Sequence, residues 1–357
     1  MYMLLYALFN VVLILFIVFF FLRTQKDMPK NWKEFVIEFK MQAGGTQALI
    51  EDTFLRYKNK VDLIQRPNKI AVMTGGNRGI GVYTLEKLLK CSMTVMLGVR
   101  NPEASRKSIE KALGTELTKD KVFYEKCDTG DMKSVREFAK KVQEKFSAIH
   151  LLINNAGVMF TPYNLTADGF ESQMAINHMG HFLLTHLLMP QLIAGSNDND
   201  GKNVRIVNVS SCVHKKCDIN YDDFDCQKFY YPADAYNKSK LAQVLFTKHL
   251  QVLLSQSGLK IQTNSLHPGV VDTELFANSS TDYIPWFRTL LFKTPEEGSR
   301  TVIYASISPK IEGKGGVYLS NCTIMPPNSL ANDPQECKKL FDHCCKLLNI
   351  ENFGSLN

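Results

Sequence analysis

No pair of cysteines recurs at zinc-site spacing, and the nine that occur (91, 127, 212, 217, 226, 322, 337, 344 and 345) are odd in number. Only Asp342-His343-Cys344-Cys345 gathers candidate ligands; a lone cluster is weak ground for a metal, so none is expected and free thiols in a reducing compartment are the reading. No Lys/Arg run is interleaved with aromatics, which argues against a nucleic-acid partner. There is no internal repeat and no low-complexity stretch beyond Asn197-Asp198-Asn199-Asp200-Gly201, an exposed loop by composition. What remains is ordinary: 357 residues, 45% hydrophobic and 22% charged, enough for one large α/β domain with a sizeable core. The net charge of +7 suits a membrane surface or a phosphorylated cofactor without demanding either.

Charge is also missing from the first 22 residues, and Val11 to Leu22 is continuously apolar. Roughly 20 apolar residues cross a bilayer core as a helix, so one N-terminal transmembrane helix is expected over 1–22. A cleaved signal peptide needs a basic n-region, a shorter apolar region and a small-residue cleavage site, and the segment has none of them. Arg23, Lys26, Lys30 and Lys33 follow, so the positive-inside rule places the rest of the chain on the cytosolic side. The sequons Asn208-Val209-Ser210 and Asn237-Lys238-Ser239 lie within the chemical motifs described below, where a glycan is incompatible with function. Cytosolic exposure removes that conflict, as would folding before glycosylation. The expected location is the endoplasmic reticulum membrane, with the lipid droplet as the alternative.

Residues 23–66 read as a juxtamembrane connector, with Gly44-Gly45 dividing two helical stretches. Trp32, Phe35, Phe39 and Met41 would let the first rest on the headgroup layer, or else pack it on the domain. From Pro67 strands and helices alternate. Strand-like runs lie at 70–73, 94–97, 122–124, 151–153, 204–209, 261–266 and 316–319, and helical patterns at 132–146, 180–192 and 233–254 separate several of them. This alternation predicts a doubly wound parallel seven-stranded α/β sheet over 67–320, with helices on both faces. Residues 321–357 read as a C-terminal extension, an irregular stretch and a terminal helix.

The first strand runs into Thr74-Gly75-Gly76-Asn77-Arg78-Gly79-Ile80-Gly81 and then a helical pattern. Glycines there permit a tight turn and close backbone approach to a pyrophosphate, which the helix N-terminus favours. After the second strand the chain has Arg100 and no acid. An acid at that place would bind the ribose 2′-hydroxyl of NAD, whereas arginine suits the 2′-phosphate, so NADP(H) is preferred and NAD(H) is the alternative. Arg78 would add a second charge. In Tyr236-Asn237-Lys238-Ser239-Lys240, residues i and i+4 share a helix face. A free phenol titrates near pH 10, and an ammonium beside it favours the phenolate. The fifth strand ends in Ser210-Ser211 and the fourth in Asn154-Asn155-Ala156-Gly157, both at the sheet edge where ligands bind. Asn177 opens the next helical run, placed to hold a water linked to Lys240.

As an ordered set these motifs, with Asp128 after the third strand and His267-Pro268-Gly269 with Thr273, resemble the short-chain dehydrogenase/reductase family over about residues 67–320. The longer Ser211–Tyr236 spacing resembles its microsomal retinol-dehydrogenase-like branch. Tyr221-Asp222-Asp223, the stretch 291–298 and Gly315-Gly316-Val317-Tyr318-Leu319 resemble the group of the dehydrogenase/reductase member on chromosome X. The resemblance implies Tyr236 as acid/base, Lys240 lowering its pKa and holding the nicotinamide ribose, Ser211 orienting the substrate oxygen, and Asn177 supporting a proton relay. It implies that Asp128 contacts adenine, Asn155 the cofactor, and that Thr273 lies near the nicotinamide amide. A lipophilic alcohol, aldehyde or ketone is the implied substrate, retinoid or polyprenoid, with a steroid as the alternative. The apolar segment 283–292 is read as a membrane-dipping lid or as packing, and the long helix at 233–254 as a surface for a homodimer. A non-catalytic NADP(H)-binding sensor or scaffold is the competing function.

Overall fold

The computed structural model describes residues 29–276 and 291–356. The expected membrane span at 1–22 and most of the segment 283–292 lie outside these residues. Among the described residues no helix is long and apolar enough to cross a membrane.

Short β-branched and aliphatic runs make the sheet: β1 (Ile70–Thr74), β2 (Thr94–Val99), β3 (Val122–Lys126), β4 (Leu151–Asn154), β5 (Val204–Val209), β6 (Ile261–His267), β7 (Tyr318–Ser320) and β8 (Thr323–Met325). Their order is β3-β2-β1-β4-β5-β6-β7-β8, parallel from β3 to β7. The order in which strands are laid down reverses between β1 and β4, the switch point where open α/β sheets leave a crevice. Strands β4, β5 and β6 are buried throughout, as a sheet covered on both faces requires.

Helices cover both sides. Of α2 (Ile80–Lys90), α3 (Pro102–Leu113), α4 (Met132–Lys145), α5 (Gly180–Asn197), α6 (Pro232–Gln256), α7 (Pro295–Ile307) and α8 (Pro334–Leu347), the first, second and sixth pack on one face and the rest on the other. Alternation along β1 splits the cores: Ala71 and Met73 meet Leu85, Leu88, Val302 and Ile303, while Val72 joins Phe138, Phe182, Leu245 and Phe341. The C-terminal segment enters this second core through Leu340, Phe341 and Phe353.

Two expectations are corrected. The sheet has eight strands rather than seven, because Asn321 and Cys322 both adopt positive φ (51° and 52°) and fold the chain back into an antiparallel β7–β8 hairpin. The 29–66 region also contains one unbroken helix, α1 (Trp32–Leu55), preceding all of these, with Gly44-Gly45 inside it. Gly44 is buried, and a Cβ there would meet Lys216 Cγ at 3.5 Å, so the helix lies close on the turn after β5. Met41, expected at the headgroup layer, is buried instead.

Helix α1 is fastened by charge. Asp52, 3% exposed, accepts hydrogen bonds from Lys293 Nζ (2.8 Å) and Asn321 Nδ2 (2.9 Å) at one oxygen and from the Val270 amide (2.8 Å) at the other. Arg56 closes a two-pronged pair on Glu297 at 2.8 and 2.6 Å. Removing one partner of a buried pair strands the other charge, at a cost of about 3–5 kcal/mol. Asp52→Ala should therefore destabilise the protein by about that much in urea unfolding, and Asp52→Ala/Lys293→Met should recover most of the loss. A double variant as unstable as the single one would show that stranding of Lys293 is not the cause.

Candidate active site

The crevice is built from the ends of β1, β4 and β5. Thr74, the last residue of β1, is its hub. Thr74 Oγ1 accepts the amides of Asn155 and Ala156 (both 3.1 Å) and lies 2.9 Å from His181 Nε2. With both lone pairs taken, its proton points at His181 Nε2, so His181 carries its own proton on Nδ1. That proton goes to the Asn177 carbonyl at 3.1 Å, which also accepts Gln243 Nε2 at 2.6 Å. Burial holds His181 down to about 3, so the ring is neutral at physiological pH.

Asn177 sits in a π-helical turn, Ala175–Met179, immediately before α5. Its side chain accepts the Val158 amide (2.8 Å) and donates to Val158 O (3.0 Å) and Ser239 Oγ (2.9 Å). Asn177 thus braces the β4 loop against α6, and its main-chain carbonyl accepts from His181 and Gln243.

On α6, Tyr236 and Lys240 share one face, with Lys240 Nζ 5.7 Å from the phenol ring centroid. Of the two serines after β5, Ser210 donates its hydroxyl to Lys240 O (2.7 Å), a bond that ties strand to helix. The Ser211 hydroxyl stands on the Tyr236 side and favours the ionised phenol. The structure therefore separates a structural serine from one that stands beside the phenol. Ser211 is itself steadied by His214, whose Nδ1–H donates to Ser211 O while its Nε2 accepts the Asn328 amide.

The expected lowering of the phenol pKa is not produced by the described groups. Burial pushes Tyr236 well above its ordinary value, and the Ser211 hydroxyl only partly opposes this. Burial also lowers Lys240 to about 8. Its ammonium has three N–H donors, and the described bond to Val209 O (3.0 Å) uses one.

The glycine turn fits close backbone packing. A Cβ on Gly75 (φ 67°) would lie 2.7 Å from Ala156 Cα, and one on Gly81 2.1 Å from Gly75 O. On Gly79 (φ 53°) it would lie 3.2 Å from Thr273 Cγ2, so the first turn of Ile80 and α2 faces the loop after β6. Asn155 Nδ2 holds the carbonyls of Thr74 (3.1 Å) and Gly75 (2.7 Å). Asn77 Nδ2 donates to Ser105 Oγ on α3 at 3.0 Å. Asp128 Oδ1 accepts the Gly130 amide at 3.0 Å, shaping the turn after β3. Arg100 is exposed at the end of β2, and Arg78 pairs loosely with Glu274 at 3.3 Å. Gly157 closes the set: a Cβ there would stand 3.2 Å from Asn177 Oδ1 and 3.4 Å from Lys240 Nζ.

Buried apolar side chains pack around Tyr236 as one cluster: Met159, Val213, Val270 and Phe292 from the domain, Met41 and Ala48 from α1. Sequence reasoning missed the contribution of α1, and it missed His181, Gln243 and His214. The available signal was polar residues at core spacing within apolar helices (His178, His181, Gln243).

The protonation of Lys240 gives a test. Its folded pKa is depressed from 10.5 to about 8, so the folded state disfavours the charged form. The unfolded chain binds more protons between those values, hence this penalty is fully present below pH 8 and disappears as pH rises to 10.5. After allowance for the lost Val209 bond, Lys240→Met should be more stable than wild type by about 2 kcal/mol at neutral pH. That advantage should vanish at the alkaline end, as read by urea unfolding across pH. A pH-independent difference would contradict the assigned burial penalty.

The family model for short chain dehydrogenase matches residues 69–284. Human polyprenol dehydrogenase is 41% identical over 291 residues, covering 80% of this chain and 86% of that protein. Human retinol dehydrogenase 11 is 38% identical, covering 80% and 88%. Among solved structures, an uncharacterized protein from Mycobacterium paratuberculosis superposes with a TM-score of 0.64 at 31% identity, covering 81% of this chain and 96% of that one. NADPH-bound carbonyl reductase from chicken fatty liver shares the fold, with a TM-score of 0.53, 24% identity, and coverage of 73% and 99%. The chain belongs to the short-chain dehydrogenase family of NAD(P)-dependent oxidoreductases.

Proposed function

We propose that the protein is a membrane-anchored, NADP(H)-dependent oxidoreductase of lipophilic alcohols and their carbonyl counterparts, retinoid or polyprenoid in character. The carrying observation is the nearness of Ser211, Tyr236 and Lys240 at the edge of a cluster of apolar side chains. A substrate oxygen that meets the Ser211 and Tyr236 hydroxyls leaves its hydrocarbon among Met41, Met159, Val213 and Phe292. The retinol and polyprenol dehydrogenases similar to this chain take their names from substrates of that kind.

The nicotinamide, when bound, supplies or accepts the hydride. The chain's own residues handle the proton. Tyr236 O–H gives its proton to the carbonyl oxygen during reduction and takes one back during oxidation. Ser211 holds that oxygen in line. The Lys240 ammonium stabilises the phenolate left behind, and its remaining N–H groups suit ribose hydroxyls. Asn177 acts by position, through the Val158 and Ser239 bonds that fix the loop beside Lys240. The glycine turn with Thr74, Gly75, Gly79, Ile80 and Gly81 would receive the pyrophosphate, and Asn155 would hold the turn open. Asp128 would face the adenine and Thr273 the nicotinamide amide.

Arg100 supports the preference for NADP(H). It is exposed at the end of β2, and Arg78 is tied only to an exposed carboxylate, a kind of pair worth little. The sequon asparagines Asn208 and Asn237 are buried, at 0% and 2% exposure, so neither accepts a glycan in the folded domain, whereas Asn164 of Asn164-Leu165-Thr166 is exposed. The basic residues that follow position 22 support a cytosol-facing domain, and the uncharged run over 1–22 supports the anchor.

Two outcomes are expected. Tyr236→Phe should bind NADPH normally and lose turnover with every carbonyl, by about 10²–10⁴-fold, the usual range for general acid–base catalysis. Near-normal turnover in that variant would sink the mechanism. Arg100→Leu should weaken NADPH binding about tenfold to a hundredfold, the worth of charged hydrogen bonds, and leave NADH unchanged. Equal weakening of both cofactors would remove Arg100 from the 2′-phosphate.

A further inference from the structure

Helix α1 carries apolar side chains on two opposite faces. The inner face sends Met41 and Ala48 into the apolar cluster around Tyr236. On the outer face Trp32, Val36, Phe39, Ile50 and Phe54 fall in a wedge roughly 60° wide at 3.6 residues per turn, and Tyr57 extends the stripe into the turn that follows. Trp32, Phe39, Phe54 and Tyr57 are 75%, 50%, 63% and 66% exposed. These four are among ten exposed large apolar side chains found over all described residues, so the clustering on one helix face is not diffuse surface hydrophobicity. Nor can the helix roll to hide them. Its inner face is held by the Tyr231 hydroxyl on Glu38 (2.8 Å), by Asp52 on Lys293, and by Arg56 on Glu297.

The chain itself indicates what covers the stripe. An uncharged apolar run of 22 residues ends ten positions before Trp32. Tryptophan and tyrosine at the two ends of the stripe are the side chains that favour a bilayer interface. Between positions 29 and 60 there are six basic and four acidic residues, and two of those acids, Glu38 and Asp52, are buried. The exposed balance is therefore basic, complementary to anionic headgroups.

We propose that α1 lies along a lipid bilayer on its Trp32–Tyr57 stripe, and that this seating sets the apolar surroundings of Tyr236 beside the membrane so that its substrate is taken from the bilayer. The substrate half rests on the oxidoreductase reading above, whereas the seating does not. A 24-residue helix is about 36 Å long, so an anchor at its N-terminal end alone would leave the Phe54 end in water.

The test uses the full chain in phosphatidylcholine/phosphatidylserine vesicles containing brominated lipid. The chain has two tryptophans. Trp286→Phe leaves Trp32 as the reporter, and Trp32→Phe/Trp286→Phe/Phe54→Trp moves the reporter to the far end. Quenching by brominated lipid at both ends is expected. Quenching at 32 and none at 54 would mean that the domain merely hangs from its N-terminal run, and the seating falls. Protection of position 54 from aqueous iodide without lipid quenching would mean that a second copy or another protein covers the stripe, which also overturns it. For the substrate half, Phe39→Glu/Phe54→Glu should lose activity on a bilayer-dissolved carbonyl and keep it on a water-soluble aldehyde. Unchanged activity on both, or equal loss on both, would overturn delivery from the bilayer. Wild-type protein that is quenched at both ends yet inactive on every carbonyl would uphold the seating and remove the oxidoreductase reading.

Discussion

The buried Asp52–Lys293 pair is the constraint on which the geometry of the site depends. A carboxylate this deep is tolerable only if it is paired and hydrogen-bonded, and Asp52 accepts from Lys293, Asn321 and the Val270 amide. Each partner belongs to a different part of the chain. Asn321 is in the turn that creates the β7–β8 hairpin, and Lys293 lies just before α7. Val270 follows Gly269, whose φ of 105° and close approach to Lys293 leave no room for a side chain. Three residues beyond Val270 stands Thr273, against Gly79 of the cofactor turn. The position of α1, the last hairpin and the loop facing the glycine turn is therefore one decision. This is why α1 behaves as part of the enzyme and supplies side chains to the apolar cluster around Tyr236.

A second buried network fixes the opposite side of the crevice. Thr74 orients His181, and His181 and Gln243 together cap the Asn177 carbonyl. Such a network specifies one arrangement to the extent that its members are satisfied, and here Gln243 Oε1 alone of these groups lacks a partner among the described residues. Here it joins the end of β1, the π-turn before α5 and the middle of α6. The phenol and ammonium on α6 are thereby registered to the same strand end that carries the glycine turn. Ser210, bonded to Lys240 O, adds β5 to that register, so Ser211 arrives at Tyr236 without freedom to wander.

Much of this was legible in the sequence because it is periodic or local. Seven strands, the long helices, the glycine turn and the i/i+4 relation of Tyr236 to Lys240 all follow from spacing. The eighth strand was not legible: Thr323–Met325 is too short to declare itself, and its turn depends on left-handed Asn321 and Cys322, neither of which is glycine. Gly44-Gly45 reads as a break because glycine weakens isolated helices, but tertiary packing of Gly44 against the turn after β5 overrides that propensity. For α1 the sequence left open whether Trp32, Phe35, Phe39 and Met41 meet a headgroup layer or the domain, and the structure exposes Trp32 and Phe39 while burying Met41. A helix apolar on two faces has no single stripe from which to infer its inside. The choice between Ser210 and Ser211 rested on resemblance, and the structure places the Ser210 hydroxyl on the Lys240 carbonyl.

Burial of Tyr236 and Lys240 determines how the site waits for substrate. Among buried apolar side chains the neutral form of each group is favoured, so the phenol moves up and the ammonium moves down, to about 8. At neutral pH the phenol remains protonated while Lys240 still carries most of its charge. On the mechanism proposed above, the resting site would already be in the proton-donor state that carbonyl reduction needs, with the Lys240 cation near the phenolate formed. Oxidation would start from the other state and would first have to remove the phenol proton against burial, helped among the described groups by Ser211. The overall equilibrium belongs to the reactants and the cofactor ratio, which no enzyme alters. The chain's own contribution is to make the reductive encounter the one that requires no prior proton loss, a bias that follows from enclosing the phenol in methionine, valine and phenylalanine rather than in water.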